Sequence, residues 1–306
     1  MKAFKYINTA LFFALVVIAG CKKDPDENKG TEALTYTNVS YGSEPAQKMD
    51  VYLPENRSSA TPVILLLHGG GFIAGDKQEF SGQAASLSAK GYVVLNVNYR
   101  LVDSTGALNI PVVHKPSAIK IADQLNDVDA AVNFAMAKST EWIMSAERWG
   151  MTGHSAGATL SLLYSYGNKN QNKRIKVAGN WAGATNFAFT DESEADLLDP
   201  RLVEIIYRAV GYEIKNENKL AYMAVSPYWL INPNSIPTIN IRPENNGVIG
   251  ADNSKAEYQK LTDLLNSKSV PNKWVEVAGA DHGFSQAGSW DTVINETDAF
   301  FRIHLK

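Results

Sequence analysis

The sequence predicts one α/β domain built on a mostly parallel sheet with helices on both faces. Three observations carry this. Segments of strand and helix character alternate from about residue 34 to the end of the chain. Val63-Ile64-Leu65-Leu66-Leu67 is an uninterrupted apolar run, as expected of a strand covered on both sides. No period of 20–50 residues repeats and no linker-like stretch interrupts residues 34–306, which argues against a solenoid, a propeller or a second domain.

In chain order, Leu34 to Leu53 carries alternating and β-branched residues around Tyr41-Gly42-Ser43 and predicts a hairpin or two edge strands. After the strand at 63–67, Glu79 to Lys90 predicts a helix stopped by Gly91. Tyr92 to Tyr99 reads as a strand. Ile121, Leu125, Val128, Val132 and Ala135 fall at helical spacing. A strand leads to Gly153, a helix runs from Ser155 to Gly167, and Lys176 to Trp181 is a short strand. Asp199-Pro200 supplies an N-cap and a first-turn proline for a helix that Gly211 ends. Pro237 to Ile241 and Lys273 to Val277 read as strands, Ser254 to Lys268 and Ser289 to His304 as helices. In such a sheet ligands bind at the carboxyl ends of strands, so the loops after Leu67, Met151, Ile241 and Val277 matter most.

The 306 residues hold 29 Lys+Arg against 32 Asp+Glu, a formal net charge of −3, with no basic excess of the kind nucleic-acid binders show. With 45% hydrophobic residues the chain is neither disordered nor collagen-like. Its single cysteine excludes an internal disulfide and a Cys-rich zinc site. That cysteine closes a distinctive N-terminus. Lys2 and Lys5 precede an apolar or small-residue run from Ala10 to Gly20, too short for a permanent span but suited to a signal peptide. The run ends Val17-Ile18-Ala19-Gly20-Cys21, which resembles a bacterial lipobox; a plain secretory signal with a chance Cys is the alternative. The expectation is a lipoprotein signal at 1–20, lipidation of Cys21, a flexible tether over 21–33 and a domain over 34–306, exported and held to a membrane, outer membrane or cell surface, by its acyl chains alone. Loss of Lys2 and Lys5 takes the formal charge from −3 to −5.

Gly153-His154-Ser155-Ala156-Gly157 lies between a predicted strand and a predicted helix. There a Gly-x-Ser-x-Gly sequence forms a nucleophile elbow, a tight turn that projects the serine hydroxyl. The helix that follows places N–H groups and a positive dipole end near developing negative charge. His68-Gly69-Gly70-Gly71-Phe72 follows the strand at 63–67, and its glycines permit close backbone approach to a ligand. No Gly-Lys-Ser/Thr follows, which discounts a phosphate loop. His282, in Asp281-His282-Gly283-Phe284 after the last strand, is the candidate general base. His68 is expected to brace its loop, and His154 to be a variable elbow residue. His114 and His304 belong to no motif. Phe72, Trp181 and Phe284 are candidate pocket aromatics, with a core role the competing one.

These motifs, with Met49-Asp50-Val51-Tyr52-Leu53-Pro54, Asn98-Tyr99-Arg100-Leu101 and Ser226-Pro227, resemble the α/β-hydrolase superfamily, in particular its HGGG-type esterases and lipases, hormone-sensitive-lipase-like and feruloyl-esterase-like. The resemblance covers most of residues 34–306. It implies an α/β-hydrolase fold and an oxyanion hole of the Gly70, Gly71 and Ala156 N–H groups. It leaves Thr185 to Tyr228 as a partial lid. The departure is the acid. Where relatives read His-Gly-x-x-Asp, this chain reads Arg242-Pro243-Glu244-Asn245-Asn246, and Asn253-Ser254 matches the family's Gln-Ser without a gap, which puts Asn246 at the acid position. An Asn carbonyl accepts a hydrogen bond from an imidazole but offers no charge to an imidazolium. Three readings stay open: Asn246 serves, Glu244 or Asp252 supplies a carboxylate, or the site binds without turnover.

The resemblance implies a serine carboxylic ester hydrolase. Ser155 attacks the ester carbonyl and His282 shuttles the proton, with no metal or organic cofactor. The expected substrates are small-molecule or glycan esters. A prolyl-oligopeptidase-like peptidase and a non-catalytic surface binding protein are the rivals.

Overall fold

A computed structural model describes residues 31–248, 251–252 and 254–306. The expected signal peptide, Cys21 and the expected tether up to residue 30 lie outside the described residues, as does Asn253.

The domain is an eight-stranded sheet. The first hairpin, β1 (Leu34–Ser40) and β2 (Lys48–Leu53), is antiparallel, and its second strand runs antiparallel to β4 (Val93–Val97). The other neighbours are parallel, through β3 (Val63–Leu67), β5 (Trp149–Gly153), β6 (Ile175–Trp181), β7 (Thr238–Asn245) and β10 (Asn272–Asp281), in the order β1-β2-β4-β3-β5-β6-β7-β10. A two-residue ribbon of β8 (Gly247–Val248) and β9 (Ala251–Asp252) stands off the sheet after β7. Right-handed crossovers between parallel strands need helices. Those present are α1 (Ser81–Ala89), α2 (Ile121–Ala137), α3 (Ala156–Tyr166), α7 (Lys255–Ser267) and α8 (Ser289–His304).

Period-two alternation divides the core between the two faces. Val63, Leu65 and Leu67 of β3 pack in one cluster with Val128 and Val132 of α2 and Leu160 of α3. Ile64 and Leu66 pack in the other with Leu87 of α1 and Val293 and Phe301 of α8. Trp181 and Phe284, candidates for the pocket, lie fully buried in this second cluster. The Trp181 indole N–H is satisfied by Thr297 Oγ1 at 2.9 Å. They are core residues, and Phe72 alone of the three aromatics reaches the cleft.

Several boundaries differ from the sequence reading. The helix predicted from Glu79 begins as a 3₁₀ turn, Lys77–Phe80, capped by Asp76 and Glu79 in a capping box. Strands β7 and β10 run four residues past their predicted ends: Arg242 and Pro243 continue the ladder opposite Glu276 and Val277, and after an irregularity Asp281 pairs with Asn245. Thr31 and Glu32, read as tether, are tied to the turn before β3: Asn56 N–H donates to Thr31 O and Arg57 N–H to Thr31 Oγ1, both at 2.8 Å, and Arg57 Nη1 donates to Glu32 O at 2.5 Å.

The segment expected to form a partial lid holds a 3₁₀ turn, Glu192–Leu197, then α4 (Pro200–Val210), α5 (Lys219–Ala224) and α6 (Pro227–Leu230). Helix α4 starts at Asp199, whose carboxylate caps Arg201 N–H, and ends at Gly211 with φ +90°. Arg208 pins it down. This side chain is fully buried, pairs with Glu204 at 2.6 Å, and donates to the carbonyls of Asp103, Thr105 and Val113. Glu204 also accepts from Lys115 N–H and holds His114 Nδ1 at 2.8 Å. Removing one partner of a buried pair strands the other charge, at about 3–5 kcal/mol. Arg208→Met is therefore expected to lower unfolding stability by about 3 kcal/mol or more in a urea titration.

No helix among the described residues is long and apolar enough to cross a membrane.

Candidate active site

Four loops at the carboxyl ends of β3, β5, β7 and β10 build the site. The strand β5 turns directly into α3 at Ser155, whose φ of +53° is a left-handed conformation costly for a residue with a Cβ. The surroundings enforce it. A Cβ on Gly157 would lie 2.3 Å from the carbonyl oxygens of both Leu67 and His68. Only glycine lets α3 press this close to the end of β3. The turn leaves Ser155 half-buried at the head of α3, with its hydroxyl turned toward the cleft.

Ser155 Oγ lies 2.9 Å from His282 Nε2, and His282 Nδ1 lies 2.6 Å from Asn246 Oδ1. The three residues are brought together across 127 and 36 positions of sequence, and Asn246 is 1% exposed. The acceptor at Nδ1 fixes the tautomer: Nδ1–H donates to the Asn246 carbonyl, so Nε2 carries the lone pair that accepts the Ser155 proton. Glu244, the alternative carboxylate, is engaged elsewhere. Its Oε2 accepts from Gly279 N–H at 2.6 Å, on the surface. The backbone of Asp252 pairs with Gly247 in the ribbon.

Burial first, and then the charge of the neighbouring His154, push His282 down to about 4; the Asp281 carboxylate opposes this. Asp281 itself faces away, accepting from Ser285 N–H and Oγ–H. The working form of a general base is the neutral imidazole, and protonation removes it. A base with an ordinary pKa of about 6.5 is lost below neutrality. Here the acid limb of kcat/KM is expected near pH 4, with full activity retained at pH 6. A limb near pH 6.5 in a pH–rate profile would contradict the environment described.

His154, expected to be merely a variable elbow residue, has a definite place. It is buried among Phe80, Phe284 and Trp290, and its Nε2–H donates to the His282 carbonyl at 2.7 Å. It thus holds the backbone that carries the base. That contact joins residues 128 apart, so no local pattern announces it. His68 braces the glycine loop as expected. Its ring stacks on Tyr99 at 4.3 Å, Nδ1–H donates to Gly69 O, and Tyr99 O–H donates to His68 O.

The glycine loop curls beside Ser155. Gly70 has φ +113°, and a Cβ there would lie 2.0 Å from Ala74 O, whose own N–H donates back to Gly70 O. Gly70 and Gly71 line one side of the cleft, and Ala156, the first residue of α3, lines the other. Among the described residues the Gly70, Gly71 and Ala156 N–H groups donate to no protein acceptor. They are free for a developing oxyanion, which the dipole of α3 also favours. The turn that follows the loop and the segment beside it are held by the two flanking motifs. Asp50 of β2 pairs with the buried Lys77 at 2.9 Å, Asn98 Oδ1 accepts from Lys77 N–H, and Arg100 grips Asp127 of α2 at 2.6 Å.

Two clefts meet at Ser155. One, of about 320 Å³, runs under the lid between Phe72, Phe187, Phe189, Leu202, Ile205 and Ile206. The other, of about 450 Å³, is bounded by the glycine loop, Phe80, Leu108 and Trp290. Among the described residues neither is lined by a Lys or Arg. Among the described residues no group of three or more His, Cys, Asp or Glu is placed to hold a metal ion.

Comparison with known proteins places this arrangement. The chain is 27% identical over 124 residues to the probable isoprenylcysteine alpha-carbonyl methylesterase ICMEL1 of Arabidopsis thaliana, covering 40% of this chain and 23% of that protein. It is 27% identical over 147 residues to the kynurenine formamidase of Salmo salar, covering 48% and 43%. The chain thus spans less than half the length of these curated relatives. A solved structure, a truncated form of a carbohydrate esterase from gut microbiota, shares the fold with a TM-score of 0.67 at 18% identity, over 90% of this chain and 99% of that one. A BD-FAE family model matches residues 49–261, a segment that holds the glycine loop, the elbow and Asn246 and stops short of His282. With that match running through well over half of its length, the chain belongs to the BD-FAE family, on an α/β-hydrolase fold.

Proposed function

We propose that this chain is a serine carboxylic ester hydrolase working through an acyl-enzyme on Ser155. The observation that carries the reading is the 2.9 Å contact between Ser155 Oγ, on its strained turn, and His282 Nε2. His282 takes the Ser155 proton as Oγ attacks the ester carbonyl carbon. The oxyanion that forms is held by Gly70, Gly71 and Ala156 N–H groups. His282 then gives the proton to the departing alkoxide, and the ester C–O bond breaks. Water, deprotonated by the same imidazole, releases the acid and restores Ser155. Asn246 holds the imidazole in the right tautomer through both half-reactions but supplies no countercharge.

The two clefts give the ester's halves separate places, and the apolar one under the lid suits the more apolar half. Small esters and acyl groups on glycans are the substrate classes in view, reached by a domain tethered to a membrane through acylated Cys21. The test is a panel of p-nitrophenyl esters beside aminoacyl-p-nitroanilides and acylated glycans. Ester cleavage without anilide cleavage is expected; cleavage of anilides alone would favour a peptidase. Metabolic labelling with an alkyne fatty acid, lost in Cys21→Ser, checks the anchor.

A further inference from the structure

At the opposite edge of the sheet lies a feature that the catalytic reading leaves unused. A groove of about 580 Å³ is lined by Arg148, Lys173, Arg174, Lys176 and Lys306, with Glu147 the one acidic side chain among the described residues that line it. None of these five cations forms an ion pair among the described residues. Arg148 donates to Ala60 O at 3.3 Å, Lys173 to Asn234 O, and Arg174 to Asn133 Oδ1. Lys176 and Lys306 are exposed. On a chain of net charge −3 this is a concentration of positive charge against the average.

Its place in the fold gives it meaning. Val63, Trp149 and Ile175 are aligned neighbours at the amino ends of β3, β5 and β6. The groove residues 148 and 173–176 stand at that edge. Ser155, Asn246 and His282 stand beyond the carboxyl ends of the strands, about 16 Å away for a five-residue strand. The described chain also begins at the amino edge. Thr31 and Glu32 are bound to the turn at Asn56 and Arg57, just before Val63, whose N–H donates to Arg148 O at 2.9 Å. Nine residues lie between Cys21 and Thr31, ten steps of chain with a reach of at most about 35 Å.

We propose that this basic groove is a docking surface for anionic, phosphate-bearing lipid headgroups, which seats the domain on its membrane with the catalytic clefts turned outward. The inference rests on the anchor at Cys21 proposed above. The same edge delivers the tether and presents the cations, so acyl insertion and electrostatic attraction act together. Each Lys or Arg near an anionic surface strengthens attachment about fivefold, an effect that salt screens.

The test uses the full acylated chain on vesicles of phosphatidylcholine alone and of phosphatidylcholine with about one third phosphatidylglycerol. The readout is the rate of lysine acylation, followed by mass spectrometry. On the anionic vesicles Lys173, Lys176 and Lys306 are expected to react at least about fivefold more slowly than on the neutral ones, while Lys219, exposed on the lid, is unchanged. High salt should erase the difference, and Lys176→Glu with Lys306→Glu should erase it at Lys173. Hydrolysis of a soluble ester should be the same in this double variant. Equal rates on both vesicles, slowing at Lys219 as well, or slowing that survives the charge reversal would overturn the proposal. So would protection by a soluble polyanion such as heparin without protection by anionic vesicles. Failure to co-float with neutral vesicles refutes the anchor separately, and the lysine pattern with added anionic vesicles still decides the groove.

Discussion

Ser155→Ala is expected to lower kcat/KM on a p-nitrophenyl ester by at least about 10⁴-fold, with KM little changed. Loss of the nucleophile of a serine triad costs up to about 10⁶ in kcat, and the residual rate comes from the oxyanion donors and binding. Here the donors stay in place, because the Gly70, Gly71 and Ala156 backbone does not depend on the hydroxyl. Stability should not fall, and it is expected to hold or rise, since the alanine keeps the elbow backbone and removes a half-buried polar group. Ester turnover by the variant equal to that of the parent would remove Ser155 from the reaction, whatever its geometry.

Asn246→Asp is expected to accelerate the enzyme. In a serine protease the reverse exchange costs about 10⁴, largely through the wrong tautomer. In this chain the Asn246 carbonyl already holds Nδ1–H, at 2.6 Å, so the tautomer is right and only the charge is lacking. The gain should accordingly be smaller, about 10- to 100-fold in kcat, or about 1.4–2.7 kcal/mol of barrier. The carboxylate also raises the imidazole pKa by about 1–3 units. The sign is definite: the acid limb moves upward from about 4, and the variant loses activity at pH 5 where the parent keeps it. A variant with an unmoved limb would mean that residue 246 does not face the imidazole in solution. Glu244→Gln serves as the contrast. Its carboxylate is bound to Gly279 N–H, so turnover is expected to change less than twofold.

Much of this was legible because it depends on local rules. The elbow is a strand end, a serine and two small residues, and each requirement falls within five positions. The HGGG loop is equally local, and its fully buried strand is visible as a run of five apolar residues. Helix α4 announced its own ends through Asp199-Pro200 and Gly211. What stayed hidden depends on contacts far apart in sequence. The role of His154 is a bond to the His282 carbonyl, and no motif encodes it. Trp181 and Phe284 could not be assigned to cleft or core from type alone, since both places favour large aromatics. Strands β7 and β10 are longer than their apolar cores because each completes the other's ladder. The choice among Asn246, Glu244 and Asp252 turned on where a loop points. The structure brings Asn246 to the imidazole and turns Glu244 to a backbone amide.

Burial explains why the site keeps its base neutral. In a serine triad with Asp, a carboxylate stabilises the imidazolium and lifts its pKa. Here burial acts with little opposition, and the neighbouring His154 adds to it. On the proposed reading such a site is expected to gain tolerance to acid and to give up transition-state stabilisation.

The most direct test is covalent. A fluorophosphonate reacts at the hydroxyl that an imidazole activates, and its adduct is read by peptide mass spectrometry. The account predicts a single adduct on Ser155, absent from Ser155→Ala and formed at least about 100-fold more slowly in His282→Ala. No adduct at Ser155, or labelling that proceeds undiminished without the imidazole, would contradict it.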